Sequence, residues 1–212
     1  PMIARLLALG AAVLVLISLA QGWAPTRWMR TFWERHGGYL RWYVASAPGT
    51  CIYVGILAVT TWVLLGMPEH AKDLFLAAQS TNLEHLTRDP LRALVRSAFF
   101  VSGTELLLWG ALFLVFLAPA ERWLGTGRAL VVFATGHIVA TLLTAWGVYA
   151  RIRWFHGPES LWNVQDTGAS YGFMALAGIM VYRLRGWNRA ALLTVLLGVV
   201  VYPVLVALGW VY

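Results

Sequence analysis

The sequence predicts an all-α fold, a polytopic bundle of transmembrane helices. Two observations carry this. Sixty per cent of the 212 residues are AVILMFWYC and only 12 per cent are charged, and six long apolar stretches recur along the chain. A soluble domain has about 45–50 per cent apolar and about 25 per cent charged residues. That excess excludes disorder, a nucleic-acid-binding domain and an ordinary soluble enzyme. The single cysteine, Cys51, excludes an internal disulfide framework and a multi-cysteine zinc site.

The stretches are Leu6–Ala20, Thr50–Met67, Phe99–Ala120, Ala129–Ala150, Gly168–Tyr182 and Ala190–Tyr212. Crossing roughly 30 Å of hydrocarbon takes about 20 apolar residues, with a range of about 17–25. The second, third, fourth and sixth stretches meet that length. The fifth reaches it if its helix begins near Trp162–Asp166. The first, with Arg5 before it and Ser18-Leu19-Ala20 at its end, would also suit a cleaved secretory signal. Trp23 and Trp28 flank it as interfacial anchors would, so an uncleaved extra span is expected. Pro1 stands in place of an initiator Met, which leaves room for a longer gene product. Three parts follow: an extra N-terminal transmembrane helix (1–24), a basic cytoplasmic segment (25–49) and the main transmembrane domain (50–212).

Charge sets the orientation. The net charge of +7 is spread along the connections. Arg27, Arg30, Arg35, Arg41, Arg122, Arg128, Arg183, Arg185 and Arg189 fall in alternate connections, against only Glu34 and Glu121. The opposite side carries Arg5, Lys72, Arg88, Arg92, Arg96, Arg151 and Arg153, nearly balanced by acids. Basic residues are retained on the cytoplasmic side. The chain is therefore expected in the cytoplasmic (inner) membrane as a multi-pass protein with its N-terminus outside. The arginines sit singly beside helix ends, a pattern that points to membrane lipids and not to nucleic acid.

The outer loop Pro68–Ala98 carries Leu83, Leu86, Leu91, Leu94, Val95 and Ala98 at helical intervals around Arg88, Arg92 and Arg96. Two readings fit: a helix lying in the interface with arginines toward headgroups, or a helix packed on the rim of the bundle.

Ionisable groups inside a span cost roughly 2.5–3.5 kcal/mol at mid-bilayer, so each needs a reason. Glu105, near the outer end of the third span, reads as reaching the interface or pairing with a loop arginine. His137, halfway along the fourth, reads as a neutral histidine bonded to a neighbouring helix. Asp166 reads as a cap for the fifth helix with Thr167 beside it, and Ser170 follows one turn later, expected to bond its own i−4 carbonyl. Gly168 and Gly172, extended by Ala169, Ala175, Ala177 and Gly178, make a small-residue face that marks this helix as central.

These residues together resemble the rhomboid family, which includes intramembrane serine proteases and non-catalytic relatives. Glu121-Arg122-Trp123-Leu124-Gly125 is similar to the family's Glu-Arg…Gly loop after its second core helix. Gly168-Ala169-Ser170 is similar to the start of its Gly-x-Ser-Gly nucleophile motif, and the amphipathic outer loop to its first loop. The phrases Ser80-Thr81-Asn82-Leu83, Ala118–Thr126 and Asp166–Phe173 most resemble a rhomboid-like branch found in actinobacteria. The resemblance implies a rhomboid-like core over roughly Thr50–Tyr212, five of six core helices being visible, with Leu6–Ala20 added in front. It makes Ser170 the candidate nucleophile.

The departures bear on function. Family catalysis uses a histidine on the sixth core helix to deprotonate the serine, and the last stretch here, Ala190–Tyr212, holds none. Counting back from Glu121, the family's oxyanion-hole His and Asn fall on Glu105 and Trp109. Losing one oxyanion donor costs about 10²–10³ in rate. Tyr171 replaces the small residue that follows the serine. Along their helices, His137 and Ser170 differ in height by roughly 6 Å, too far for general-base contact.

Two functions compete. One is a non-catalytic rhomboid-like protein, a pseudoprotease, that binds other transmembrane proteins or serves as a subunit of a larger membrane complex. The other is a rhomboid-type serine endopeptidase with Ser170 as nucleophile and its histidine on a further C-terminal helix absent from this sequence. A transporter has little support, because no pair of broken half-helices appears. No cofactor and no metal are expected. Glu69-His70 and Glu84-His85 lack the H-E-x-x-H spacing, Gly125-Thr126-Gly127 lacks the context of a phosphate loop, and Cys51, placed toward the outer part of its span, reads as packing.

Overall fold

The computed structural model describes residues 2–21, 27–101, 106–166 and 169–207. Every regular element among them is a helix. By contacts the chain divides into two units, Pro1–Pro48 and Gly49–Tyr212.

The first unit holds α1 (Met2–Gln21) and α2 (Arg27–Ser46). Twenty residues at about 1.5 Å each give α1 roughly 30 Å, the thickness of the hydrocarbon. Leu9, Val13, Leu14, Leu16 and Ile17 are all exposed along it. Trp23 lies outside the described residues. The segment expected only as basic is a helix, α2. It is amphipathic: Phe32, Tyr39, Leu40 and Tyr43 share one face, while Arg30, Glu34 and Arg41 share the other, Arg30 pairing with Glu34 at 3.2 Å. Interleaved aromatics hid that period, since Trp33 and Trp42 lie on the flanks.

Nearly all of α3 (Pro48–Leu64) lies in the second unit, and the loop 68–98 follows as three short helices instead of one. These are α4 (Glu69–Ala78), α5 (Leu83–Arg88) and α6 (Pro90–Ser97). Local chemistry sets the breaks. Asn82 caps α5 by accepting from the His85 N–H at 2.8 Å; Asp89 caps α6 by accepting from the Arg92 N–H at 3.2 Å, with Pro90 opening the helix. The loop returns to α3 through two hydroxyls, Tyr53 donating to the Ala98 carbonyl at 2.6 Å and Thr60 to the Phe99 carbonyl at 2.9 Å. Residues 99–101 are therefore loop, although the apolar pattern extends the third span back to Phe99.

The next crossing is one continuous helix, Leu106–Leu124, made of α7 (Leu106–Leu112), a π-helical turn (Phe113–Leu117) and α8 (Ala118–Leu124). The π turn has a cause. Pro119 lacks an N–H, and its ring would press on the carbonyl four residues back, at Val115; widening the turn there relieves both. Gly125, at φ +84°, then reverses the chain into α9 (Thr126–Trp154). Both helices are long and apolar enough to span a membrane.

A 3-10 turn (Glu159–Asn163) precedes α10 (Ser170–Arg183), and α11 (Gly186–Ala207) closes the described chain. The fifth crossing does not start near Trp162–Asp166. α10 has 14 residues, about 21 Å, and needs no more because it is surrounded. It packs on α9, α11, α8 and the π turn, with Phe173, Leu176, Ala177, Met180 and Val181 buried, the central position expected of it. A Cβ on Gly136 of α9 would come within 2.1 Å of the Ala175 Cβ, and one on Gly172 within 2.7 Å of the Phe133 ring. Small residues let these two backbones meet. Beside them, Phe113 packs 5.5 Å from Tyr53 and 5.7 Å from both Trp109 and Phe173, ring centre to ring centre.

Candidate functional site

Ser170 is the first residue of α10, half-buried, and its hydroxyl makes no hydrogen bond to another described residue. The i−4 bond expected of it does not form, since its i−4 carbonyl lies outside the helix. Thr167, Gly168 and Glu105, which carry the expected cap, the start of the nucleophile motif and one oxyanion position, lie outside the described residues.

His137 is 4 per cent exposed and turns toward α6. Its Nε2 lies 3.0 Å from the Leu94 carbonyl and 3.2 Å from the Ser97 hydroxyl. A carbonyl only accepts, so Nε2 carries the proton in the neutral ring and Nδ1 the lone pair. Nδ1 has no partner among the described residues. The histidine thus bonds a neighbouring helix, as its sequence position led us to expect, and no Ser170–His137 pair forms. Trp109, at the position counted as the oxyanion Asn, packs its ring 5.7 Å from Phe113 and from Phe173.

Asp166 does something other than cap α10, whose N-cap is Ala169 with no side-chain bond. Its backbone is clamped by the loop between α4 and α5. The Asp166 N–H donates to the Ser80 hydroxyl at 2.7 Å, and its carbonyl accepts from the Thr81 N–H at 2.9 Å and the Thr81 hydroxyl at 3.0 Å. Among the described residues its carboxylate receives two long bonds, from the hydroxyls of Thr81 and Tyr171, each at 3.3 Å. Burial pushes the Asp166 carboxyl up, while the Tyr171 and Thr81 hydroxyls draw it back. Asp166 and Tyr171 border a cavity of about 240 Å³, whose wall includes Thr144, Gln165, Leu83 and Val148. Two of the phrases on which the family resemblance rests, Ser80-Thr81 and Asp166–Phe173, therefore meet in space.

The other phrase has its own partner. Glu121 is 3 per cent exposed and accepts four bonds: from the Gly49 N–H (2.8 Å), the Thr50 N–H (2.7 Å), the Thr50 hydroxyl (2.8 Å) and the Thr126 hydroxyl (2.7 Å). It satisfies orphan donors at the start of α3 and ties that helix to α8 and α9. Cys51, next to Thr50, lies at this end of α3. Sequence reasoning saw Glu121 but not its partners on α3, which lie 71 and 72 residues away.

Apolar helices of spanning length around a close-packed core define a helical membrane protein. Its family follows from comparison: residues 42–211 match the model of the rhomboid-like protein family, and the chain belongs to that family. No curated protein and no solved structure matches it.

Proposed function

We propose that this chain is a non-catalytic rhomboid-like membrane protein that binds other transmembrane proteins or forms a subunit of a membrane complex. The observation that carries the reading is the engagement of His137. The one histidine on a long spanning helix gives its Nε2 proton to the Leu94 carbonyl, leaving Ser170 without a base among the described residues. Trp109, filling the core where the family pattern places a donor, supports the same reading. On this proposal residues 1–24 are an extra span, 25–49 a basic segment at the cytoplasmic face and 50–212 the rhomboid-like domain, in the cytoplasmic membrane with the N-terminus outside.

The test is labelling of the membrane-embedded protein with a fluorophosphonate, which traps activated serines. No labelling of a folded sample is expected. Labelling that disappears in Ser170→Ala would establish the competing reading, a serine endopeptidase with Ser170 as nucleophile. Orientation is tested with cysteine probes on the Cys51→Ala background: Lys72→Cys should react with an impermeant maleimide from outside and Arg185→Cys only after permeabilisation. The reverse pattern would invert the topology.

A further inference from the structure

The short helix α6 shows three faces, each with a different chemistry. Ala93 and Ser97 are buried, and Ser97 and Leu94 meet His137 on α9. Leu91 and Val95 are 73 and 52 per cent exposed and lie together. Arg92 and Arg96 form the third face, beside that apolar stripe. With Arg88, His85 and Asp89 they line a cleft of about 200 Å³.

The charges in this cleft do not balance. Glu84 holds Arg88 at 2.9 Å, and the Asp89 carboxylate accepts from the Arg92 backbone at the start of α6. Among the described residues, Arg92 and Arg96 take part in no ion pair. Three guanidiniums against the carboxylates of Glu84 and Asp89 leave one net positive charge. Arg92 and Arg96 stand exposed on a helix that rests by Leu94 and Ser97 against His137 of α9, and a guanidinium without a carboxylate partner beside an apolar stripe is stabilised by an anion.

We infer that the cleft between α5 and α6 binds the phosphodiester of a single anionic phospholipid, held by Arg92 and Arg96, while the acyl chains lie along Leu91 and Val95. A phosphodiester carries one negative charge, which matches the excess in the cleft, and its oxygens suit the guanidinium fork. Pockets for drug-sized ligands run about 300–1,000 Å³, so about 200 Å³ suits one ionic group and not a whole lipid. The apolar stripe beside the basic one selects a lipid over free phosphate, because only the lipid has chains to lay along it. A zwitterionic choline headgroup would bring its own cation against the arginines.

The full chain, reconstituted in nanodiscs of equal phosphatidylglycerol and phosphatidylcholine and released for native mass spectrometry, should retain one phosphatidylglycerol per chain. Arg92→Gln/Arg96→Gln should lower that retention about tenfold, while Arg185→Gln/Arg189→Gln leaves it unchanged. Arg92→Lys/Arg96→Lys, which keeps the charge and loses the fork, should fall between and serves if the glutamine pair does not fold. Leu91→Ser/Val95→Ser should also weaken retention. Equal retention of phosphatidylcholine, wild-type retention in Arg92→Gln/Arg96→Gln or in Arg92→Lys/Arg96→Lys, or full displacement by inorganic phosphate would each overturn the assignment, the last marking a free-phosphate site.

Discussion

Glu121 and Asp166 are both carboxylates in a membrane bundle, yet the fold uses them in opposite ways. At Glu121 the side chain is the anchor: four donors from two elements, α3 and α9, converge on its two oxygens, at 2.7–2.8 Å. At Asp166 the backbone is the anchor, gripped by Ser80 and Thr81, while among the described residues the carboxylate makes two 3.3 Å contacts at the edge of a cavity. The Glu121 end is held by a side chain, and the Asp166 end by its main chain.

Substitutions put that contrast at risk, the largest effect first. Glu121→Ala strands four donors, the two on Thr50 buried, and should cost about 3–5 kcal/mol in detergent unfolding; a loss below about 1 kcal/mol would break the comparison. Gly136→Ala drives a Cβ into Ala175 and should cost about 1–3 kcal/mol, recovered in large part by adding Ala175→Gly. Ser80→Ala leaves the Asp166 N–H unpaired, and about 1–2 kcal/mol is expected, read as faster hydrogen exchange at 80–81 and 166. Asp166→Asn keeps every backbone bond and should cost less than about 1 kcal/mol. If Asp166→Asn proves as damaging as Glu121→Ala, the carboxylate and not the backbone holds the outer end. Ser170→Ala should shift stability by no more than about 0.5 kcal/mol, as befits a half-buried hydroxyl with no described partner.

The sites differ in how far they can be read from sequence. Glu121 and Ser80-Thr81 stood out as motif phrases, but a phrase carries no record of its partner. Thr50 meets Glu121, and Ser80 meets Asp166 across 86 residues, only after the helices pack. His137 was readable as bonded to a neighbour because a buried imidazole must find one; that the neighbour would be α6 was not. The expected Asp166 cap failed because α10 starts at Ser170, four residues later, where Ala169 and not Asp166 precedes the first turn. The outer loop became three helices because Asn82, Asp89 and Pro90 are local stop-and-start signals, which a single hydrophobic period overrides when read alone.

Sequence alone determined that the chain is an all-α membrane protein of the rhomboid-like kind. Hydrocarbon forces backbone groups to pair within each span, so long apolar runs have little choice but helix. Only tertiary structure decided which polar groups are used up. Among helices of similar apolarity the driving force is close contact, and Gly136 against Ala175 sets which faces meet. Packing of this kind, not composition, set the His137 imidazole against Leu94, gave Glu121 its four donors and left Arg92 and Arg96 facing an open cleft.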